Sequence, residues 1–325
     1  MYPPRSQQAL PSKIKCQHGV AIITALLIVT IAATVSITIS TQLQLDVRRT
    51  SNLIALDQAD LYLLEAEEWS QRILLDDKQN STIDALDENW AIEIPPLPVD
   101  GGSIQGKLTD LQACINVNTL LNGNALNPVV EERLTRLFNN LGITNNLTQA
   151  ITDWIDSGLN DTTTTPNGAE DSHYLNLEKP YRTANTPLQS VSELRLIKGF
   201  EDKKTYNAIA DHVCAFVPNN SNLPINVNTA SIEVLRSLSA NMTKSLLDGI
   251  IDRQQTDPFD DLNDFTSFST VKTIITNTAQ LSVSSDYFLL KTQAKIGQAN
   301  KVMYSIIYRD ASGETKIISR TQRIL

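Results

Sequence analysis

Residues 17–36 read QHGVAIITALLIVTIAATVS, and the uncharged run that they open decides the architecture. From Gly19 to Leu45 no side chain carries a charge, and Asp46 ends the run. A helix rises about 1.5 Å per residue, so roughly 20 apolar residues cross the hydrocarbon of a bilayer, and 20–41 suffice. The Thr and Ser hydroxyls in this stretch can bond back to helix carbonyls. Arg5, Lys13 and Lys15 precede it without any acid. The positive-inside rule therefore keeps residues 1–19 in the cytoplasm and sends the bulk of the chain across the membrane. No Gly or Pro interrupts 20–80, which predicts a helix running on well beyond the bilayer. Leu53, Leu56, Leu61, Leu64, Trp69 and Ile73 recur there at helical spacing and mark the face expected to pack. Two helices meeting near residue 46 are the alternative.

Charge reinforces this division. The 325 residues include 27 Lys plus Arg and 36 Asp plus Glu, for a formal charge of −9. Without residues 1–19 the balance is 24 bases against 36 acids, or −12. Such an excess of acid argues against a protein that binds phosphate backbones. Three His and three Cys are too few for a multi-histidine metal centre or a disulfide scaffold. No phosphate loop, G-x-S-x-G or H-E-x-x-H is present. His173 has no Ser or Asp at mechanistic spacing, and His212 beside Val213 reads as a structural or exposed residue on a helical stripe. An enzyme is not expected.

Downstream, residues 90–104 read as a turn-rich break, with PPLP at 95–98 and Asp100-Gly101-Gly102. SIQGKLTDLQACINVN (103–118) alternates as one or two strands. Pro128 suits the first turn of a helix and Gly142 its C-cap. Further helices are expected over 147–155, 191–197 and 202–213. The end of the chain predicts an antiparallel sheet from 287–296, 302–308 and 315–323, with a turn at Asp310-Ala311-Ser312-Gly313. INVNT occurs at 115–119 and again at 225–229. Each copy leads into helices, an Ile-x-Asp and a Pro-led turn, PLQSVSEL from Pro187 and PFDDLNDF from Pro258. The second copy resembles the helix-hairpin-helix unit of DNA-uptake proteins. Its hairpin, Ser237-Leu238-Ser239-Ala240-Asn241, lacks the glycines that bring backbone N–H groups to phosphate, so the repeat reads as packing architecture.

A long polar loop spans 156–187. Asp156, Asp161, Glu170 and Asp171 lie close together in it, with Thr165, Asn167 and backbone carbonyls as further oxygen donors. Ca²⁺ takes six to eight hard oxygens at about 2.4 Å, and a structure-poor loop of this length needs something to order it. A solvated acidic loop is the plainer reading. Cys16 lies in the basic leader. Cys114 and Cys214 are left as either a disulfide or two unpaired buried thiols.

Three groups of residues resemble one family. Gly19 directly before an apolar helix is similar to the prepilin junction, where a peptidase cuts after Gly and methylates the new N-terminus, here Val20. Position five of the mature chain is Thr24, where pilins and most pseudopilins carry Glu; its absence resembles the K-type minor pseudopilin of type II secretion. AITDWIDSGL (150–159), NGAEDSHYLNLEKPYRTAN (167–185) and PLQSVSELRLIKGF (187–200) look like the core of that family. The resemblance covers most of the chain and is strongest over 19–75 and 150–240.

The resemblance implies an α/β pilin-like fold, a long N-terminal transmembrane helix packed on an antiparallel sheet with a large all-α domain inserted. The implied divisions are a leader (1–19), a membrane segment (20–41), a first pseudopilin part (42–119), the insertion (120–212), and a second pseudopilin part (213–325). That last part holds the helix-hairpin-helix-like segment and the C-terminal sheet. The implied role is a subunit at the tip of the type II secretion pseudopilus, in export of folded proteins from the periplasm across the outer membrane. Implied partners are the I-type and J-type minor pseudopilins, the inner-membrane platform and the prepilin peptidase, with no nucleic acid. It also implies a single-pass inner-membrane protein with its main domain in the periplasm. A structural Ca²⁺ is implied on Asp156, Asp161, Glu170 and Asp171, with Asn185 a further candidate. The competing readings are a minor pilin of a type IV pilus or competence system, and a membrane-anchored calcium-dependent binding protein.

Overall fold

The computed structural model describes residues 18–322 except 124, 144–145, 158–163, 221 and 276. It divides into two compact units, one ending at Ile54 and the other Ala55–Leu325. Helix α1 (His18–Asn80) supplies the described part of the first unit. Its apolar side chains there, Val20 through Ile54, are exposed. The segment is long and apolar enough to cross a membrane. Thr24, Thr30, Thr34, Ser36, Thr38 and Thr41 each donate a hydroxyl to a carbonyl three or four residues earlier. These six hydroxyls are thus satisfied within the helix, as hydrocarbon would require.

After α1 come β1 (Ile94–Val99), β2 (Gly102–Asp110), β3 (Ile115–Asn116) and a small hairpin of β4 (Leu121–Asn122) and β5 (Ala125–Leu126). Helices α2 (Pro128–Asn140) and α3 (Leu147–Ile155) follow, then α4 (Asp171–Tyr174), a 3-10 turn Val191–Leu196, α5 (Lys203–Ile209) and β6 (Val213–Cys214). Next are β7 (Ile225–Asn226), α6 (Ile232–Ser237), α7 (Lys244–Thr256), α8 (Leu262–Ser267), α9 (Val271–Ile274) and β8 (Leu281–Ser282). Strands β9 (Tyr287–Ile296), β10 (Ala299–Arg309) and β11 (Thr315–Thr321) close the chain.

The main sheet is antiparallel in the order β1-β2-β9-β10-β11. The stretch expected to be only a turn, PPLP, is strand β1 at the sheet edge. Proline has no N–H to give a second neighbour, so an edge tolerates it, and the register shifts between Ile94 and Leu97 where Pro95 and Pro96 sit.

The packed face of α1 also differs from expectation. Ala59, Leu63, Glu67, Ser70 and Leu74 are buried, whereas Leu53, Leu61, Leu64 and Trp69 are exposed. Small residues let the helix approach the sheet, and acids on the helix meet bases on the strands. Lys301 Nζ pairs with Asp60, Ser305 Oγ donates to Glu67 Oε2 at 2.6 Å, and Arg320 forks onto both oxygens of Glu67.

In the helical region, the segment 191–197 is a 3-10 turn, and the helix expected over 202–213 stops at Ile209. Strand β6 claims Val213 and Cys214 by parallel pairing with Ile115 and Asn116 of β3. His212 therefore lies off any helical stripe, its Nδ1 3.1 Å from Ser231 Oγ. One hydrophobic core runs from Ile115 to Leu281 and takes in α2, α3, α6 and α7, so it continues past residue 212.

The two INVNT copies build the same device. Asn118 donates Nδ2 to the Leu188 carbonyl and accepts the Leu188 N–H, both at 2.8 Å. Asn228 does the same to Phe259, at 3.0 and 2.9 Å. Each clamped residue directly follows the proline of its Pro-led turn. Three residues after each proline a cap, Ser190 or Asp261, starts the next turn of helix. The first asparagine of each copy, Asn116 or Asn226, accepts the N–H two residues on. A side-chain amide copies both groups of a peptide bond, so it can hold a loop as a strand neighbour would.

Candidate functional site

Helix α3 ends in a polar corner. The carboxylate oxygens of Asp153, Asp156 and Glu170 lie within 4.8 Å of one another, and Asp153 and Glu170 are buried. Oxygens on a shell of about 2.4 Å radius are at most about 4.8 Å apart, so the three meet the spacing that a shared Ca²⁺ requires. Burial pushes the Asp153 carboxyl above its ordinary pKa, against hydrogen bonds from Thr165 and with the charge of Asp156 adding to the rise. Asp153 Oδ2 accepts the Thr165 N–H at 3.0 Å and its hydroxyl at 3.1 Å. Asn185, held at φ 48°, donates its N–H to the Trp154 carbonyl, and its buried Oδ1 has no hydrogen-bond partner among the described residues. The donor set, hard oxygens about a partly buried centre, fits calcium.

Gly168 makes the corner possible. A Cβ there would lie 1.9 Å from Asp153 Oδ2 and 2.4 Å from Thr165 Oγ1. Gly168→Ala is expected to push the Asp153 carboxylate out of place and cost about 1–3 kcal/mol, read as a lower urea midpoint at unchanged slope.

The structure brings together only part of the ligand set read from the sequence. Asp156 and Glu170 are in the cluster, and Asp161 lies outside the described residues. Asp171 is engaged elsewhere: its Oδ1 accepts the Thr183 N–H and hydroxyl, and its Oδ2 takes Arg182 Nη1 at 2.8 Å. Thr165 faces Asp153, and Asn167 bonds Gln149. Asp153 was missed. Its signal is an acid inside the apolar stripe of Ala150, Ile151, Trp154 and Ile155, all buried. Trp154 and Tyr174 pack edge to face at 5.1 Å beside it.

Cys114 and Cys214 form a disulfide, with Cα atoms 5.8 Å apart. It joins the chain at the parallel pair β3–β6, which has only two residue pairs of its own.

Comparison with known proteins follows these features closely. Models of protein K of the type II secretion system match residues 113–219 and 225–284. The protein K of Pseudomonas aeruginosa is 30% identical over 316 residues, covering 94% of this chain and 92% of that protein. This chain belongs to the type II secretion system protein K family. The Aeromonas hydrophila protein K is 31% identical over 325 residues, covering 94% of this chain and 96% of the other. The fold matches a chain in the crystal structure of the GspK–GspI–GspJ complex from enterotoxigenic Escherichia coli. That match has a TM-score of 0.73 and 25% identity, covering 85% of this chain and all of the other. The first matched segment holds the disulfide and the acidic corner, and the second begins at the second INVNT copy.

A second acidic group, unforeseen in the sequence, lies where α1 ends. Arg309, 1% exposed, reaches both oxygens of Asp84 with Nη2 and Asp77 Oδ2 with Nη1 at 2.8 Å. It also donates to the carbonyls of Leu74 and Ser285, and it lies 4.8 Å from the Phe288 ring centre. Ser285 N–H donates to Asp84, and Ser285 Oγ to Asp110. Asn226 Nδ2 bonds Asp110 and the Asp84 carbonyl. This network ties α1, β2, β9 and β10 to the second repeat. Here Arg309 already supplies the positive charge.

Proposed function

We propose that the chain is a pilin-like minor pseudopilin of type II secretion, anchored by one helix in the inner membrane with its second unit in the periplasm. Family membership carries this reading. Two features of the molecule support it: the charge-free, exposed apolar helix from Val20, and the exposed large side chains Leu53, Leu61, Leu64 and Trp69 beyond it. Such exposed apolar side chains are costly to leave in water and suit the helices of neighbouring subunits. In this reading the prepilin peptidase removes residues 1–19 and methylates Val20. Thr24, whose hydroxyl bonds the Val20 and Ala21 carbonyls, brings no carboxylate into the membrane. A buried acid without a partner would cost several kcal/mol there.

The related GspK is found with GspI and GspJ, so the corresponding I-type and J-type subunits are the proposed partners at the pseudopilus tip, above the inner-membrane platform. The helical region 120–212 with its acidic corner is the proposed insertion into the pseudopilin framework. Co-purification of the full chain in detergent with the I-type and J-type subunits tests this. A three-part complex is expected, and a chain that never joins either partner would refute the tip assignment.

Calcium is proposed on Asp153, Asp156, Glu170 and Asn185, with Asp161 a further candidate from the sequence. Bound Ca²⁺ would offset three clustered carboxylates and hold the loop to α3. At a free concentration a hundredfold above Kd the ion should add about 2.7 kcal/mol. The melting temperature is expected to rise with millimolar Ca²⁺ and fall with EGTA, with a matching change in Trp154 fluorescence. Identical melts in the two conditions would exclude it.

A further inference from the structure

The acidic group at Arg309 holds more negative charge than its arginine balances. Carboxylate oxygens of Asp77, Asp84 and Glu88 lie within 4.8 Å of one another. Asp84 is committed to Arg309 and to the Ser285 N–H at 2.7 Å. Glu88 Oε2 accepts the Ala85 N–H at 2.8 Å and Trp90 Nε1 at 2.9 Å. Asp84 thus uses both oxygens as acceptors and Glu88 uses Oε2. Among the described residues Asp77 has one side-chain donor, Arg309 Nη1, and it sits in the last turn of α1, where the helix carbonyls disfavour an anion.

We propose that this joint is a proton-operated lock: Asp77 takes up one proton as the surroundings pass from mildly alkaline to mildly acidic, and the fold tightens when it does. The proton lets Asp77 stay buried beside Asp84 and Glu88 without a third negative charge. It thereby secures the end of α1, the start of β9, the end of β10 and, through Ser285, Asp110 and Asn226, the second repeat. This inference does not depend on any secretion partner.

The surrounding charges agree. Asp76 and Lys78 flank Asp77 on α1; Asp84, Asp87 and Glu88 come from the following loop. Asp110 comes from β2, Asp286 precedes β9, Arg309 ends β10, and Asp310 lies in the next turn. Among these described groups Arg309 is the one buried base. Burial pushes Asp77 up to about 7, against the Arg309 hydrogen bond and with Glu88 and Asp84 adding to the rise. Burial also raises Asp110 to about 6 and lifts Asp286. Asp310, exposed and bonded by Ser312, is lowered and plays no part.

The sign follows from proton counting. Unfolded, Asp77 has its ordinary value of 3.8; folded, it holds its proton up to about 7. Between these values the native state binds more protons than the unfolded chain. Stability is therefore greatest at the acid end of the window and is lost as pH rises through about 7.

The test is urea unfolding of the full chain in detergent from pH 5.5 to 8, for wild type and Asp77→Asn. The amide keeps the Arg309 bond but cannot titrate. The wild-type folded-to-unfolded ratio should fall at least tenfold over this range, and the variant should lose most of that slope and be the more stable at pH 8. Equal slopes would overturn the proposal. If Asp77→Asn does not fold, calorimetric unfolding of wild type at pH 6 in buffers of different ionisation enthalpy counts the protons directly. Release of about one and a half protons is expected, about one from Asp77 and about half from Asp110, and a release of about half a proton or less would overturn it. A calcium-dependent gain in stability at pH 8 that Asp77→Asn abolishes would make the cluster a cation site and also overturn it.

Discussion

Arg309→Met should destabilise the second unit by about 3–5 kcal/mol, because it leaves Asp84 charged, buried and without its cation. Asp84 has no exposed surface, and both its oxygens face Arg309. Methionine fills much of the volume and can still lie against Phe288, so the loss reports charge rather than a cavity. The carbonyls of Leu74 and Ser285 lose donors as well. A second substitution discriminates the cause: Asp84→Asn in the Arg309→Met background removes the stranded charge and keeps an acceptor for the Ser285 N–H. It should recover a large share of the loss. Urea midpoints at constant slope measure both, and a loss below about 1 kcal/mol for Arg309→Met would contradict the assignment of this network as the main joint.

Breaking the disulfide should have an effect of similar size. Cys114 and Cys214 are 100 residues apart in the chain. Loop-closure entropy for that length gives about 4.7 kcal/mol, and native disulfides typically contribute about 2–5. The pair β3–β6 has two residue pairs, too few to hold the strands together alone. The double variant Cys114→Ser, Cys214→Ser should therefore melt roughly 10 °C lower, with new protease cuts between the two cysteines. A strong reductant should lower the wild-type melt toward that of the variant and leave the variant unchanged. Equal melts of oxidised wild type and variant would show that packing alone holds the base of the helical region.

Much of the fold was legible because its signals are local. The charge-free run after Gly19, the alternation of 287–296 and the turn at Asp310–Gly313 need only neighbours along the chain. The INVNT copies could also be paired by eye, although the amide clamps of Asn118 and Asn228 could not. Strand β1 was hidden because Pro95, Pro96 and Pro98 signal a break everywhere except at a sheet edge, and being an edge is a property of the assembled sheet. Helix α1 misled in another way. Its large apolar residues suggested the packed face, but the sheet takes Ala59, Leu63 and Ser70 with Glu67, whose charge Arg320 balances.

The candidate site shows the same division. Asp156 and Glu170 stood out in a loop crowded with acids, while Asp153 was hidden in a helix that otherwise looked like core. Asp171 looked equivalent to its neighbour, yet backbone geometry turns it to Thr183 and Arg182. Arg309 meets Asp77 and Asp84 across separations of 232 and 225 residues, and no local pattern marks it. By itself the sequence determined the long apolar helix, the strand and helix periods and the repeat, because each depends on hydrophobicity and hydrogen bonding within a few residues. Only the tertiary structure decided which face of α1 is buried, which acids share a site and which charge is left to take a proton. Those outcomes depend on desolvation and on partners that the chain brings together from far apart.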